Sequence, residues 1–220
     1  TEADAPTGVD PSGFPGSGAR IRGGTPGDSA GWVVATRCSH PDPRVAGEQA
    51  AYDLARGVKG IDLVLGTGGP LLRGLDDFDA LFADVDLEAT SVCVRPGAAF
   101  HGVAAMLTAL WEKRGLARAK VRATLGADPV SAMAREGSTL RELDLAFAKL
   151  RAWLPALASY PRVRAITIAT PYHGAGATEV EDLGLTIATG VETLRRLVDA
   201  GIPIDEACRH FSLSLSLGRD

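Results

Sequence analysis

The last segment of the chain, HFSLSLSLGRD at residues 210–220, alternates serine with leucine from Ser212 to Leu217. Successive side chains of a β-strand point to opposite faces of a sheet, so one face of this strand is apolar and the other carries small polar groups. A strand of this kind suits a barrel, in which one face packs against helices and the other lines the interior. The segment therefore predicts a barrel strand.

Five more strands are predicted upstream, and a helical period separates each from the next. The predicted strands are WVVATRC, GIDLVLG, TSVCVRP, KVRATLG and AITIA. The predicted helices are VAGEQAAYDLARG, DDFDALFADV, AAFHGVAAMLTALWEKRG, LRELDLAFAKLRAWLPALASY and residues 179–200. Strands joined in this way lie parallel, and right-handed crossovers leave either a doubly wound open sheet or a barrel. No Gly-x-Gly-x-x-Gly turn follows any of these strands, which favours the barrel.

Six strands are too few to close a barrel of the TIM type, which has eight strands in about 250 residues. We therefore expect an α/β fold, a (β/α) TIM-type barrel that is incomplete in this chain. Two more βα units beyond residue 220 would complete it. Strands supplied by a partner, or an open sheet, are the alternatives.

The first 30 residues are rich in glycine, proline and serine and hold almost no large apolar side chain. Such a segment buries too little apolar surface to offset the entropy lost on ordering. We expect an extended or disordered arm over residues 1–30 and the partial barrel domain over residues 31–220. The arm is either a loose tail or a segment that wraps a partner subunit.

Composition excludes several classes of partner. The 220 residues carry a net charge of −4 and are 45% hydrophobic, which is typical of a globular protein with a substantial core. Because basic residues are not in excess, nothing favours nucleic acid or an anionic membrane surface. No apolar run approaches the about 20 residues that span a bilayer. The cysteines Cys38, Cys93 and Cys208 are predicted to be buried thiols in a reducing compartment, so we expect a cytoplasmic protein.

Residues that follow the strands of a parallel barrel gather at one end, where active sites lie. The predicted strand ends place there Arg37, Ser39, His40, Thr67, Arg95, Gly126, Asp128, Thr170, Tyr172, His173, Arg219 and Asp220. These ends carry neither a carboxylate pair spaced for glycoside hydrolysis nor a Gly-x-Ser-x-Gly elbow. No second ligand stands at a recognised spacing from His40 or His173, so we expect no metal site.

Tyr172 and His173 stand directly after the strand AITIA and before small residues that open a helix. A neutral imidazole can donate a hydrogen bond to a substrate carbonyl, and a neighbouring tyrosine ring can form a pocket wall. The pair therefore suits a site that polarises and encloses an organic substrate. The alternative is a turn in which the glycines satisfy the backbone and the pair only packs.

Residues 172–207 read YHGAGATEVEDLGLTIATGVETLRRLVDAGIPIDEA. This segment resembles the methylmalonyl-CoA mutase family in its Tyr-His pair at a strand end, its Gly-Ala-Thr before a helix and its Gly-Ile-x-Ile-Asp turn. The resemblance extends more weakly through GWVVATRC, LARGVKGIDLVLG and HFSLSLSLGRD, and covers residues 22–220.

The resemblance implies a TIM barrel that binds acyl-CoA, with a cobalamin-binding domain stacked on its mouth. It also implies a radical rearrangement, started by adenosylcobalamin, that interconverts methylmalonyl-CoA and succinyl-CoA. By position, His173 would bond the thioester carbonyl and Tyr172 would line the pocket. The candidate substrate-binding residues are Arg37, Arg95, Arg135 and Thr170.

Several residues depart from the pattern of catalytic members. Those members carry a glutamine where this chain has Gly126, and an arginine for which Arg135 is only an offset candidate. The loop CSHPDPRV lacks their tyrosine, and their cobalamin-ligating Asp-x-His-x-x-Gly sequence does not occur. The pattern resembles the non-catalytic small (β) subunit of heterodimeric bacterial mutases. That resemblance implies a catalytic large subunit as partner and adenosylcobalamin bound by a domain outside this sequence.

Two other functions stay open. One is a self-sufficient acyl-CoA mutase barrel that uses Tyr172 and His173. The other is an unrelated barrel enzyme that binds a phosphorylated metabolite through Arg37 and Arg95.

Overall fold

The structure, a computed structural model, describes residues 32–66, 68–137, 139–169, 172 and 175–215. By its internal contacts the chain divides into two units, Thr1–Val33 and Val34–Asp220, and every element given below lies in the second. The predicted arm, residues 1–30, lies outside the described residues. None of the described helices is long and apolar enough to cross a membrane.

Strands and helices alternate along the second unit. The strands are β1 (Ala35–Cys38), β2 (Gly60–Val64), β3 (Ser91–Arg95), β4 (Arg122–Ala127), β5 (Val163–Ala169) and β6 (Phe211–Ser214). The α-helices are α1 (Pro43–Leu54), α2 (Leu75–Leu81), α3 (Phe100–Lys113), α4 (Pro129–Glu136), α5 (Leu140–Trp153), α6 (Glu179–Asp199) and α7 (Ile204–Arg209).

The six strands form one sheet in the order β1-β2-β3-β4-β5-β6, and each neighbouring pair is parallel. A doubly wound sheet reverses its strand order at a switch point, and this sheet does not. Because βα crossovers are right-handed, an order without reversal places the connecting helices on one face of the sheet. The predicted α/β fold of TIM-barrel type, incomplete in this chain, is therefore confirmed.

A contact between distant strands shows that the sheet curls. The Nη1 atom of Arg95 on β3 lies 3.3 Å from the Oγ atom of Ser214 on β6. In a flat sheet these strands would stand about 14 Å apart, three spacings of about 4.8 Å, which is farther than the two side chains reach. The sheet therefore bends towards its helix-free face, which becomes the barrel interior.

Side chains alternate between the two faces of the strands as the pattern predicts. Ile61, Leu63, Val92 and Val94 are buried in the hydrophobic core under the helices. On β6, Ser212 bonds Thr167 of β5 at 2.8 Å between their Oγ and Oγ1 atoms, whereas Leu213 and, directly after the strand, Leu215 are exposed. The predicted serine and leucine faces of this strand are thus confirmed over the described residues.

Two of these helices were not predicted. Helix α4 has only eight residues, between the Asp128 cap and the left-handed Gly137, and α7 has six. Their sequences, PVSAMARE and IDEACR, hold too few large apolar residues to show a period, unlike the equally short α2, which was predicted from the phenylalanines and leucine of DDFDALFADV. The expectation of five intervening helices is therefore wrong.

One flank of α6 has no helix packed on it in the part of the chain that the structure describes. On the covered flank, Arg196 Nη1 lies 2.6 Å from Asp144 Oδ1 of α5. At about 100° per residue, the opposite flank carries a row of exposed apolar side chains, which we call the α6 stripe. The α6 stripe comprises Val180, Leu183, Ile187, Val191 and Val198.

Candidate functional site

A cavity of about 770 Å³ lies at the carboxyl ends of β2 to β5. We call it the mouth cavity. Its wall is mostly apolar, with Leu72, Pro96 and Val103 among its residues, and its polar members include Arg95 and Arg135. A mostly apolar hollow with a few convergent polar groups at this end of a barrel is the usual form of a ligand site.

Two of the predicted substrate-binding residues therefore lie together. Arg95 ends β3, and Arg135 lies in the last turn of α4. Arg135 is exposed and has no ion-pair or hydrogen-bond partner among the described residues. Its guanidinium is available to an anion, whereas that of Arg95 is already engaged.

Asp62, in the middle of β2, holds Arg95 and a second arginine. The Oδ1 atom of Asp62 accepts a hydrogen bond of 2.8 Å from Arg95 Nε, and its Oδ2 atom accepts one of 3.0 Å from Arg37 Nη2. Burial lowers the pKa of Arg95, but the hydrogen bond and charge of Asp62 outweigh that effect and raise it above its usual value. Two arginines thus share one carboxylate on the interior face, and Arg37 does not line the mouth cavity.

Sequence reasoning missed Asp62, although a signal was present. Its side chain is only 13% exposed. A carboxylate inside an apolar strand such as GIDLVLG is rarely buried without a cationic partner, so a search for that partner would have led to Arg37 and Arg95.

Position 126 on β4 can hold only glycine unless the backbone of the sheet moves. Its φ is +69°, in the left-handed region, and an added Cβ would lie 2.0 Å from the carbonyl oxygen of Val94 on β3. The pairing of β4 with β5 also shifts register between Thr124 and Ala127. A close approach of two backbones therefore fixes a glycine at the position where catalytic members of the resembled family are expected to carry glutamine.

Asp128, another predicted strand-end residue, has a structural role. Its Oδ1 atom accepts from Ser131 N at 3.0 Å and caps α4, and its Oδ2 atom accepts from Ala169 N at 3.0 Å. The side chain thereby ties the end of β4 to the end of β5. His40 also has a structural role, since its Nδ1 atom accepts a hydrogen bond of 3.1 Å from Asp42 N within its own loop.

The predicted catalytic pair is described only in part. His173 and Thr170 lie outside the described residues, as do Thr67, Arg219 and Asp220. Tyr172 is half-buried, and its carbonyl oxygen accepts from Ala175 N at 2.9 Å and Ala177 N at 3.1 Å in a turn that leads to α6. Tyr172 is not among the described residues that line the mouth cavity. The roles of Tyr172, His173 and Thr170 stay predictions.

The cysteines differ in environment. Cys38 is buried, and desolvation, with smaller effects from Asp62 and Asp53, raises the pKa of its thiol to about 11. Cys93 is half-buried on the interior face, and Cys208 is exposed. The prediction that all three are buried is wrong for Cys208, because α7 buries Ala207 and turns the next residue to solvent. Among the described residues no group of three or more His, Cys, Asp or Glu could hold a metal ion.

Comparisons with known proteins place this chain beside one family of barrel enzymes. Residues 62–220 match the family model described as "Methylmalonyl-CoA mutase". The methylmalonyl-CoA mutase small subunit of Streptomyces virginiae is 38% identical over 202 residues, which cover 89% of this chain and 31% of that protein. The small subunit of Propionibacterium freudenreichii subsp. shermanii is 33% identical over 199 residues, covering 89% and 30%.

A more distant relative carries a different name. The methylmalonyl-CoA mutase of Escherichia coli is 24% identical over 206 residues, which cover 91% of this chain and 26% of that protein. The chain thus spans about a third or less of the length of these relatives. With a family model matched over more than half of its residues and a barrel order of strands, the chain belongs to the methylmalonyl-CoA mutase family.

Proposed function

We propose that this chain is part of the barrel of a methylmalonyl-CoA mutase small subunit, and that its own mouth does not perform the rearrangement. The complex it serves isomerises methylmalonyl-CoA and succinyl-CoA. The similarity to two proteins named as small subunits supports the first part. Gly126 carries the second part, because the close approach of Val94 O leaves no room there for any side chain.

The described residues do not fit a cobalamin. A cobalt ligand from the protein would have to be an imidazole facing the mouth, and none of His40, His101 and His210 lines the mouth cavity. His40 is bonded within its loop, and His210 is buried beside β6. We therefore propose that adenosylcobalamin is held by a domain outside this sequence.

The α6 stripe supports completion of the barrel. In a closed eight-stranded barrel the helix that follows the sixth strand would pack on this flank. The stripe is apolar and exposed on the side away from α5, as expected for a surface that another helix covers. We propose that two further βα units cover it, and that the arm of residues 1–30 contacts a catalytic large subunit.

A second candidate function is an acyl-CoA mutase barrel that acts by itself through Tyr172 and His173. The mouth cavity favours it, since about 770 Å³ is enough for part of an acyl-CoA and Arg135 is open to an anion. The third possibility, a phosphate site formed by Arg37 and Arg95, is weakened because Asp62 already engages both guanidinium groups.

Co-expression and single substitutions separate these functions. We expect the full-length protein to co-purify with a mutase large subunit, and His173→Ala to leave the turnover of the complex within about twofold. A general acid or hydrogen-bond donor to the reacting carbonyl contributes about a hundredfold or more. A drop of that size in the His173→Ala complex, or turnover by the protein without a partner, would refute the non-catalytic assignment.

A further inference from the structure

One carboxylate joins two parts of the wall of the mouth cavity. The Oδ1 atom of Asp128 accepts from Ser131 N at 3.0 Å in the first turn of α4, and its Oδ2 atom accepts from Ala169 N at 3.0 Å at the end of β5. Asp128 is 7% exposed, and both Asp128 and Ala169 line the cavity. The bond that holds the end of β5 to α4 therefore depends on a single oxygen atom.

A hydroxyl group close to this carboxylate has no partner. Ser131 is 0% exposed, and its Oγ atom makes no hydrogen bond to any residue that the structure describes. A buried hydroxyl without a partner costs free energy, and such groups are rare in folded proteins. The unpaired hydroxyl of Ser131 therefore needs a physical explanation.

The position of Ser131 in α4 supplies that explanation. Ser131 is the N3 residue of the helix, three positions after its cap Asp128, and in a capping box the N3 side chain faces the cap residue. The nitrogen and the hydroxyl of one serine lie close together, so a change of χ1 rotamer brings Oγ to the carboxylate that Ser131 N already contacts. The Ser131 hydroxyl is thus a spare donor for Asp128.

A spare donor lowers the free energy needed to release β5. Without it, a buried carboxylate that left Ala169 N would lose a charge-assisted hydrogen bond and gain nothing. With it, a bond from Ser131 Oγ replaces the bond that is lost. Ala169 is half-buried and lines the mouth cavity, so its N–H group then meets the water of the cavity.

We propose that Asp128, Ser131 and Ala169 form a two-state latch at the mouth, which we call the β5 latch. In the closed state, the one in the structure, Asp128 accepts from Ala169 N. In the open state Asp128 accepts from Ser131 Oγ, and the end of β5 separates from α4. Tyr172 follows three residues after Ala169 and its carbonyl oxygen anchors the turn that leads to α6, so opening frees this turn and widens the mouth cavity. The β5 latch goes beyond the proposed function, because it operates in a catalytic and in a non-catalytic mouth alike.

Hydrogen exchange at Ala169 N reports the open state directly, because this amide exchanges when its bond to Asp128 is broken. The full-length protein, with its partner subunit where one co-purifies, is transferred to D₂O, and fragmentation mass spectrometry resolves the Ala169 amide. The amides of β3 serve as the internal reference for opening of the whole sheet. The measured quantity is the ratio of the exchange rate at Ala169 to that of β3.

Two variants change the β5 latch, and each has a matched control. Ser131→Ala removes the spare donor, and its control Thr193→Val removes another fully buried hydroxyl without a partner, on α6 away from any helix cap. Asp128→Asn removes the charge and one acceptor oxygen. Its control is Asp42→Asn, because Asp42 caps α1 by accepting from Arg44 N at 2.9 Å and bonds no strand that the structure describes.

We expect the ratio to fall about tenfold in Ser131→Ala, since the open state loses a hydrogen bond to a charged group. We expect it to rise about tenfold in Asp128→Asn, since one neutral oxygen replaces the charged pair that held both N–H groups. Both controls should stay within twofold of the parent.

The hydroxyl variant decides the proposal by itself if Asp128→Asn does not fold, because Ser131→Ala only removes an atom. A ratio that rises in Ser131→Ala, or falls less than threefold, overturns the exchange of partners. An equal fall in Thr193→Val also overturns it, because the effect would then belong to any buried hydroxyl. A folded Asp128→Asn with a ratio less than threefold above the parent shows that Asp128 does not hold β5 and likewise overturns the β5 latch.

Discussion

Replacing Gly126 by alanine tests the close approach of β3 and β4 at the mouth. An alanine at φ +69° is in the left-handed region, which costs about 1 to 2 kcal/mol. Its Cβ would also lie 2.0 Å from Val94 O and 2.7 Å from Pro96 Cδ, so backbone must move. Forcing extra volume into a packed site costs about 1 to 3 kcal/mol more. The sum is about 2 to 5 kcal/mol.

Gly137 provides a matched control. Its φ is +70°, but an added Cβ there would meet no atom within 4 Å. Gly137→Ala should therefore cost only the conformational part, about 1 to 2 kcal/mol. The difference between the two variants isolates the contact between β3 and β4.

The assay is urea unfolding of the full-length protein, combined with hydrogen exchange on peptides from β3 and β4. Hydrogen exchange reports the local opening free energy of these strands, which matters because a multidomain protein need not unfold in one step. Equal losses of stability in Gly126→Ala and Gly137→Ala would refute the steric reasoning. It would then follow that a glutamine is also possible at 126, and the main support for a non-catalytic mouth would be lost.

The remaining predictions concern the ion pairs and pH. Asp62→Ala should lower the free energy of unfolding by about 1 to 3 kcal/mol, since it leaves Arg37 and Arg95 without their carboxylate; both guanidinium groups are partly exposed, which limits the loss. Asp62→Asn removes the charge but keeps the shape and one oxygen acceptor, so it should lose less than Asp62→Ala in the same unfolding assay; an equal loss would show that the charge alone accounts for the effect and would contradict this expectation. Burial lowers the pKa of His210 below its usual value, with Arg209 lowering it and Glu206 raising it. The unfolded chain then binds the proton more readily, so stability should be constant above about pH 6.5 and fall as pH decreases below it. His210→Gln should reduce that fall, and an unchanged pH profile would contradict the assignment.

Much of the fold could be predicted because it follows from the spacing of apolar residues within short segments of the sequence. Strands such as GIDLVLG and TSVCVRP are short β-branched runs, and most of the predicted helices repeat apolar positions over three or more turns. The alternation fixed a parallel α/β order, and the structure confirms it. Helices α4 and α7 escaped prediction because PVSAMARE and IDEACR hold too few large apolar residues to show a period.

The candidate site was less predictable. The ends of the strands could be located from the sequence, and two of the predicted arginines, Arg95 and Arg135, do line one cavity. Whether an arginine at a strand end is open to a ligand depends on what faces it, and no local pattern contains that information. Asp62 faces Arg95 but not Arg135, and this difference separates a structural ion pair from a possible anion contact.

The sequence alone determined the class of fold and the family resemblance, because both rest on residues close together in the chain. Only the tertiary structure decided the curl of the sheet, the pairing of Arg95 with Ser214 and the requirement for glycine at 126. The first two come from a contact between residues 119 positions apart, and the third from the approach of Val94 on a neighbouring strand. Such contacts arise when the strands pack side by side, and the spacing of residues along the chain does not encode them.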